Sequence, residues 1–189
     1  KIRKKLPRLE LLLYEYQTGP MLDHLQAGDI DLGILALPVP SEGMNELTLF
    51  DEPFVVAVPE THELAKKRHV KPADLNGGTL LLLEDGHCLR EQALDICSRI
   101  DAQEKQDFRA TSLETLRQMV AAGSGITLLP QLASQGAYGN ARGVAIVPFA
   151  PPAPVRHVGA LWRKTSARGA AIEAVCEVIA ETAIRQVGA

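Results

Sequence analysis

Thr79-Leu80-Leu81-Leu82-Leu83 is an apolar run of strand length, followed after one residue by the turn dipeptide Asp85-Gly86. Beyond the turn the apolar period changes. Leu89, Ala93, Ile96 with Cys97, and Ile100 recur at helical spacing. The stretch reads as a buried strand, a tight turn and an amphipathic helix, with Cys88 at or just before the helix start. The same strand–helix alternation recurs along the chain and implies an α/β fold with mainly parallel sheets.

The placement of the cysteines has chemical consequences. A helix N-terminus presents unpaired N–H groups and the positive end of the macrodipole, which favour an anion. His87 and Arg90 add positive charge or hydrogen-bond donors beside Cys88. A thiol in such a setting gives up its proton more readily. Cys97 shares a stripe with Leu89, Ala93 and Ile100 and is expected to face the core. Nine helical steps separate the two cysteines by a rise of ~13.5 Å and place them on opposite faces. A disulfide needs Cα atoms within roughly 7 Å. On a helix, a Cys88–Cys97 bond would require unwinding and would be a switch rather than a staple. The residues alone also allow both cysteines to be ordinary small core residues.

The chain has 189 residues, 46% hydrophobic and 23% charged, enough for one domain or two small ones. A formal net charge of −3 gives no sign of a nucleic-acid-binding surface. Three cysteines are too few and too dispersed for a secreted disulfide framework. No Cys/His cluster has zinc spacing, so neither a metal nor another cofactor is expected. No apolar run reaches membrane-spanning length, and the basic start has no signal-peptide pattern. The first residue is Lys, which suggests a piece of a longer protein.

Residues 1–7 read as the tail of a helix. Residues 9–16 read as a strand, 20–27 as a helix ended by Gly28, and 30–37 as a second strand. Residues 47–50 and 54–59 are expected as strands interrupted by Asp51-Glu52-Pro53. Residues 62–67 and 72–75 suggest short helices. The central helix is expected to end near Ile100, with a loop over 101–106 and a strand from Phe108. Thr111-Ser112-Leu113-Glu114 fits a capping box with Glu114 at N3, ahead of a helix to about Ala122. Gly123-Ser124-Gly125 follows a helix and precedes a strand, the reverse of a dinucleotide fingerprint. A strand over 125–129 and a short helix or turn over 131–135 lead to a small-residue loop over 134–142. Strands at 144–148 and 155–163 and a final helix over 170–184 follow. Cys176 lies on the core stripe of that helix with Ile172, Val175 and Ile179.

Two blocks are similar to the peroxide-sensing LysR-type transcriptional regulators. One is Leu83-Glu84-Asp85-Gly86-His87-Cys88-Leu89-Arg90-Glu91-Gln92-Ala93. The other runs from Phe108-Arg109-Ala110-Thr111-Ser112-Leu113-Glu114 to Gly123-Ser124-Gly125-Ile126-Thr127-Leu128-Leu129-Pro130. The similarity extends over nearly the whole chain and is weakest around 134–154. It implies a type 2 periplasmic-binding-protein layout: two similar subdomains joined by two crossover strands. Their expected bounds are 1–50 plus 160–189, with the first strand missing, and 51–159, carrying the redox cysteines. The resemblance assigns Cys88 as the peroxide-reactive thiol and Cys97 as its resolving partner. It places Thr18, His87 and Arg156 in the peroxide pocket. Read without the family, Thr18 is a helix cap and Arg156 a surface salt bridge.

The resemblance further implies a cytoplasmic transcriptional activator, active as a homo-oligomer (a dimer or tetramer), with hydrogen peroxide as its signal and RNA polymerase among its partners. DNA would be bound only through an N-terminal helix-turn-helix absent here, and no membrane is involved. The first functional reading is therefore a regulatory domain switched by a reversible Cys88–Cys97 disulfide, and not an enzyme. The second is an effector domain that binds a small metabolite, with incidental cysteines. The third is a thiol peroxidase, which the lack of Cys-x-x-Cys and of a thioredoxin-like strand order disfavours.

Overall fold

The computed structural model describes residues 1–97, 103–135 and 142–188, with residues 103–108 by backbone only. The chain divides into two compact units, Lys1–Glu52 with Arg156–Ala189, and Pro53–Val155. In chain order the elements are α1 (Ile2–Lys5), α2 (Thr18–Ala27), β1 (Gly33–Leu37), β2 (Met44–Pro59) and β3 (Thr79–Leu83). Then come α3 (Cys88–Cys97), β4 (Gln103–Ala110), α4 (Leu113–Ala121), β5 (Thr127–Pro130), β6 (Val144–Pro148), β7 (Val155–Arg163) and α5 (Gly169–Val187). Among the described residues no helix is long and apolar enough to cross a membrane.

In the first unit β7 lies between β1 and the early part of β2. It runs antiparallel to β1, from Gly33 opposite Leu161 to Leu37 opposite His157. Met21 and Leu25 of α2 pack with Leu35, Met44 and Leu161. Ile172 and Cys176 of α5 pack with Leu49, Ala160 and Trp162. Gly28 ends α2 in the left-handed conformation, φ 93°, as its position after the last apolar residue predicts. Arg163 donates to the Leu25 carbonyl, one of the acceptors that the end of α2 leaves open, and to the Ile30 carbonyl beyond the helix.

Two expectations in this unit need correction. Residues 9–16 form no strand. Leu12, Leu13 and Tyr14 are exposed, Leu13 by 83%, and the segment has no ladder partner among the described residues. Alternating apolar residues make a strand only when a neighbour pairs the backbone and a core covers one face. Asp51-Glu52-Pro53, expected as a break, instead lies within the continuous 16-residue strand β2. Glu52 is only 1% exposed and is neutralised by Arg156, so the acidic residue does not force the chain outward.

In the second unit the later part of β2 is flanked by β5 and β6, both antiparallel to it, so with the antiparallel β1–β7 pair the described sheets are mixed rather than mainly parallel as expected. β3 pairs in parallel with β4, and a parallel bridge joins Leu80 to Ile126 on its other side. Leu80, Leu81, Leu82 and Leu83 are all buried in the core cluster, as an apolar strand with two neighbours requires. The β3–β4 register is uneven. From Leu80 opposite Glu104 to Leu82 opposite Arg109, β4 takes five steps where β3 takes two.

Residues 103–106, expected in a loop, belong to β4, whose polar sequence hides a strand held by backbone pairing. Residues 98–102, where the central helix was expected to end, and most of the small-residue loop (136–141) lie outside the described residues. The cap of α4 is also displaced. Ser112 occupies the cap and its hydroxyl accepts from Thr115 N–H at 3.1 Å. Glu114 therefore falls one position before N3, and its carboxylate accepts from Gln118 at 2.9 Å.

Gly125 is the tightest point beside β3. A Cβ there would lie 2.5 Å from the Thr79 carbonyl oxygen and 3.0 Å from Leu81 Cγ. Gly125→Ala is expected to destabilise the domain by about 1–3 kcal/mol. A thermal-unfolding midpoint lower by about 2–4 °C per kcal/mol would register it.

Candidate functional site

Cys88 and Cys97 are the first and last residues of α3, and both are free thiols. The helix starts where the sequence predicts. Gly86 takes φ 92°, which reverses the chain at the end of β3. The His87 carbonyl then accepts from Arg90 N–H at 2.9 Å, closing the first turn. His87 and Cys88 are both half-buried. At ten residues the helix separates the two Cα atoms by a rise of ~13.5 Å and about half a rotation. In this state the sulfurs are out of bonding range of each other.

The environments of the two thiols differ. Cys97 is 5% exposed, within the core cluster that includes Leu89, Ala93 and β3. Burial pushes its pKa up to about 11. A thiol so held stays protonated at neutral pH and is a poor nucleophile until it leaves the core. Cys176, on α5, is also buried, and loss of solvation raises its pKa, with Glu173 adding to the effect.

The turn before Cys88 is built by three charges, Asp85, Arg90 and Arg109, of which the sequence reading singled out only Arg90 as a charge. Asp85 Oδ1 meets Arg90 Nε at 2.9 Å, and Asp85 Oδ2 accepts from Arg109 Nη1 at 2.6 Å. Arg90 is buried, and its Nη1 also faces the Leu83 carbonyl at 3.4 Å. Residues 90, 93 and 97 have i, i+3, i+7 spacing, which was the available signal that Arg90 lies on the covered stripe. The Arg109 contact depends on the β3–β4 register, which no local pattern reveals. Gln92 Oε1 is buried and, among the described residues, has no hydrogen-bond partner.

Thr18 and Arg156 belong to the first unit, whereas His87, Cys88 and Cys97 belong to the second. Thr18 is the first residue of α2, and the cap position is held by Gln17. Arg156 donates through Nε and Nη2 to Glu52 Oε2, at 2.9 and 2.7 Å. Its partner is thus a buried carboxylate, not a surface one. Among the described residues no group of three or more His, Cys, Asp or Glu side chains could hold a metal ion.

The raised Cys97 pKa has a definite sign. A thiol whose folded pKa lies above its ordinary value of 9.0 stabilises the fold below that pH. The contribution is lost as pH rises from about 9 through 11. Cys97→Ala is expected to flatten the pH dependence of thermal stability in that window. In the wild type, alkylation at Cys97 should rise steeply only as pH approaches 11. Peptide mapping after a short iodoacetamide pulse checks this.

Residues 1–184 match the family of LysR substrate binding domains. The chain is 47% identical over 178 residues to the Escherichia coli K12 protein described as the DNA-binding transcriptional dual regulator OxyR. That match covers 94% of this chain and 58% of the relative, so the chain spans well under two thirds of its relative's length. The crystal structure of the oxidized form of OxyR aligns with a TM-score of 0.83 at 46% identity, covering 95% of this chain and 84% of that one. The reduced form of OxyR aligns at 0.84 and 44% identity, with the same coverage.

Proposed function

The chain belongs to the family of LysR substrate binding domains, and from that premise we propose that it is the hydrogen-peroxide-sensing regulatory domain of a LysR-type transcriptional regulator. The observation that carries the reading is one helix with a half-buried thiol at its start and a core thiol at its end. The likeness to proteins crystallised in both an oxidized and a reduced form supports it.

The chemistry is stoichiometric. Cys88 sulfur attacks one peroxide oxygen, an S–O bond forms, the O–O bond breaks, and the leaving hydroxide takes up a proton to become water. The product is a sulfenic acid. Cys97 sulfur then attacks Cys88 sulfur, the S–O bond breaks, and a second water leaves. One peroxide and two thiols give one disulfide and two waters. Cys97 must first leave the core, because in place it is both distant and protonated. Opening of α3 is therefore the gate between the two steps. A cellular dithiol reverses the reaction by exchange.

His87, next to Cys88, is the candidate for positioning peroxide. Thr18 and Arg156 are carried as peroxide-contacting residues by the resemblance, with Arg156 already engaged by Glu52. The whole regulator acts in the cytoplasm as a homo-oligomer, a dimer or tetramer, and binds DNA through a separate N-terminal helix-turn-helix. RNA polymerase is its target when activated, and it turns over no substrate.

One equivalent of hydrogen peroxide is expected to yield a Cys88–Cys97 disulfide in peptide maps, with Cys176 left as a thiol. Cys97→Ser should stop the reaction at a dimedone-trappable sulfenic acid on Cys88. Unmodified thiols, with thermal stabilisation by a small metabolite, would instead identify an effector domain. Continuous peroxide consumption with a reductase would identify a peroxidase.

A further inference from the structure

We infer that Asp85 is a positioning residue that holds the thiol form of α3 closed and so sets how readily the Cys88–Cys97 disulfide forms. The inference rests on the sensor reading above and extends it to a residue outside the two cysteines. Asp85 lies in the turn between β3 and α3 and receives two guanidinium groups. Arg109 reaches it from β4 at 2.6 Å, and Arg90 reaches it from the first turn of α3 at 2.9 Å.

These two contacts are not equivalent. Arg109 is 38% exposed and Asp85 72%, so their pair is screened by water and weak. Arg90 is 9% exposed. A buried guanidinium depends strongly on its counter-charge, because it has little water to fall back on. The larger part of the clamp is therefore the Asp85–Arg90 contact.

The position of that contact along the chain gives it a direction. Arg90 lies between the two cysteines, in the segment that must refold before they can bond. Asp85 and Arg109 lie outside that segment, and Arg109 is fixed opposite Leu82 in the β3–β4 ladder. Refolding of residues 89–96 removes Arg90 from its seat and leaves Asp85–Arg109 free to persist. The Asp85–Arg90 contact is thus made in the thiol form and lost in the disulfide form. An interaction present in only one of two states shifts the equilibrium toward that state. Asp85 accordingly raises the oxidising pressure needed to close the disulfide.

The test is the disulfide equilibrium in glutathione redox buffers, measured for the wild-type domain, Asp85→Asn and Arg109→Gln. Asp85→Asn is expected to shift the equilibrium about tenfold toward the disulfide, a fall of about 30 mV in reduction potential for two electrons. Arg109→Gln should shift it less than about twofold, since that pair is available in both states. In a Cys97→Ser background, Asp85→Asn should leave the rate of sulfenic acid formation at Cys88 within about twofold, because the clamp acts on the second step. Arg90→Lys keeps the charge but loses the Nε contact, and should move the equilibrium in the same direction if Asp85→Asn fails to fold. An unchanged equilibrium in Asp85→Asn or Arg90→Lys, or an equal shift in Arg109→Gln, overturns the clamp while leaving the sensor reading intact. A wild-type domain that forms no Cys88–Cys97 disulfide at all overturns both.

Discussion

An α-helix advances about 1.5 Å per residue, and that rise is what keeps Cys88 and Cys97 apart. Backbone hydrogen bonds, not side-chain contacts, impose the separation. It holds as long as α3 is a helix, whatever surrounds it. No side-chain rotation can bring the sulfurs together. A Cys88–Cys97 disulfide and an intact α3 therefore exclude each other, and closing the bond would require the helix to open.

The rest of the second unit suits such an event because its core does not depend on α3 alone. β3 is buried between β4 and the bridge to Ile126, and β2 is held on both sides by β5 and β6. α3 adds Leu89, Ala93 and Cys97 to this core. It also carries Gln92 Oε1, which has no partner among the described residues, a defect that costs on the order of 1–3 kcal/mol where it stands. That is a sizeable share of the ~5–15 kcal/mol total stability of a typical domain. Cys97 links the two levels. Burial both tightens the core and keeps that thiol protonated, so the same seat that stabilises the fold makes the sulfur a poor nucleophile.

Much of this was legible in the sequence because it is local. The change of period after Asp85-Gly86 placed Cys88 at the helix start, and the limits of β6 and β7 follow directly from their apolar runs. What failed depends on partners far along the chain. Residues 9–16 have the composition of a strand, but a strand also needs a neighbour. Asp51-Glu52-Pro53 looks like a break until Arg156, more than a hundred residues later, neutralises Glu52. Residues 103–106 look like a loop because backbone pairing with β3, not side-chain character, makes them part of a strand. The site divides in the same way. The two thiols were visible from spacing, whereas Asp85 and Arg109 emerged only once β4 was placed beside β3.

The uneven pairing of β4 with β3 has a mechanical consequence. Between the rungs at Leu80 and Leu82, β4 contains three more residues than its neighbour. Stretched out, three residues amount to about 10 Å of backbone. Drawing Cys97 from ~13.5 Å to within disulfide range of Cys88 takes up roughly 7 Å. The spare length lies on the downstream side of Cys97, where the pull would be felt. Two rungs, at Gln103 and Glu104, stand between that slack and Cys97, so a pull from the opened helix would release those first and then draw on the spare length, while the rung at Arg109 keeps its place.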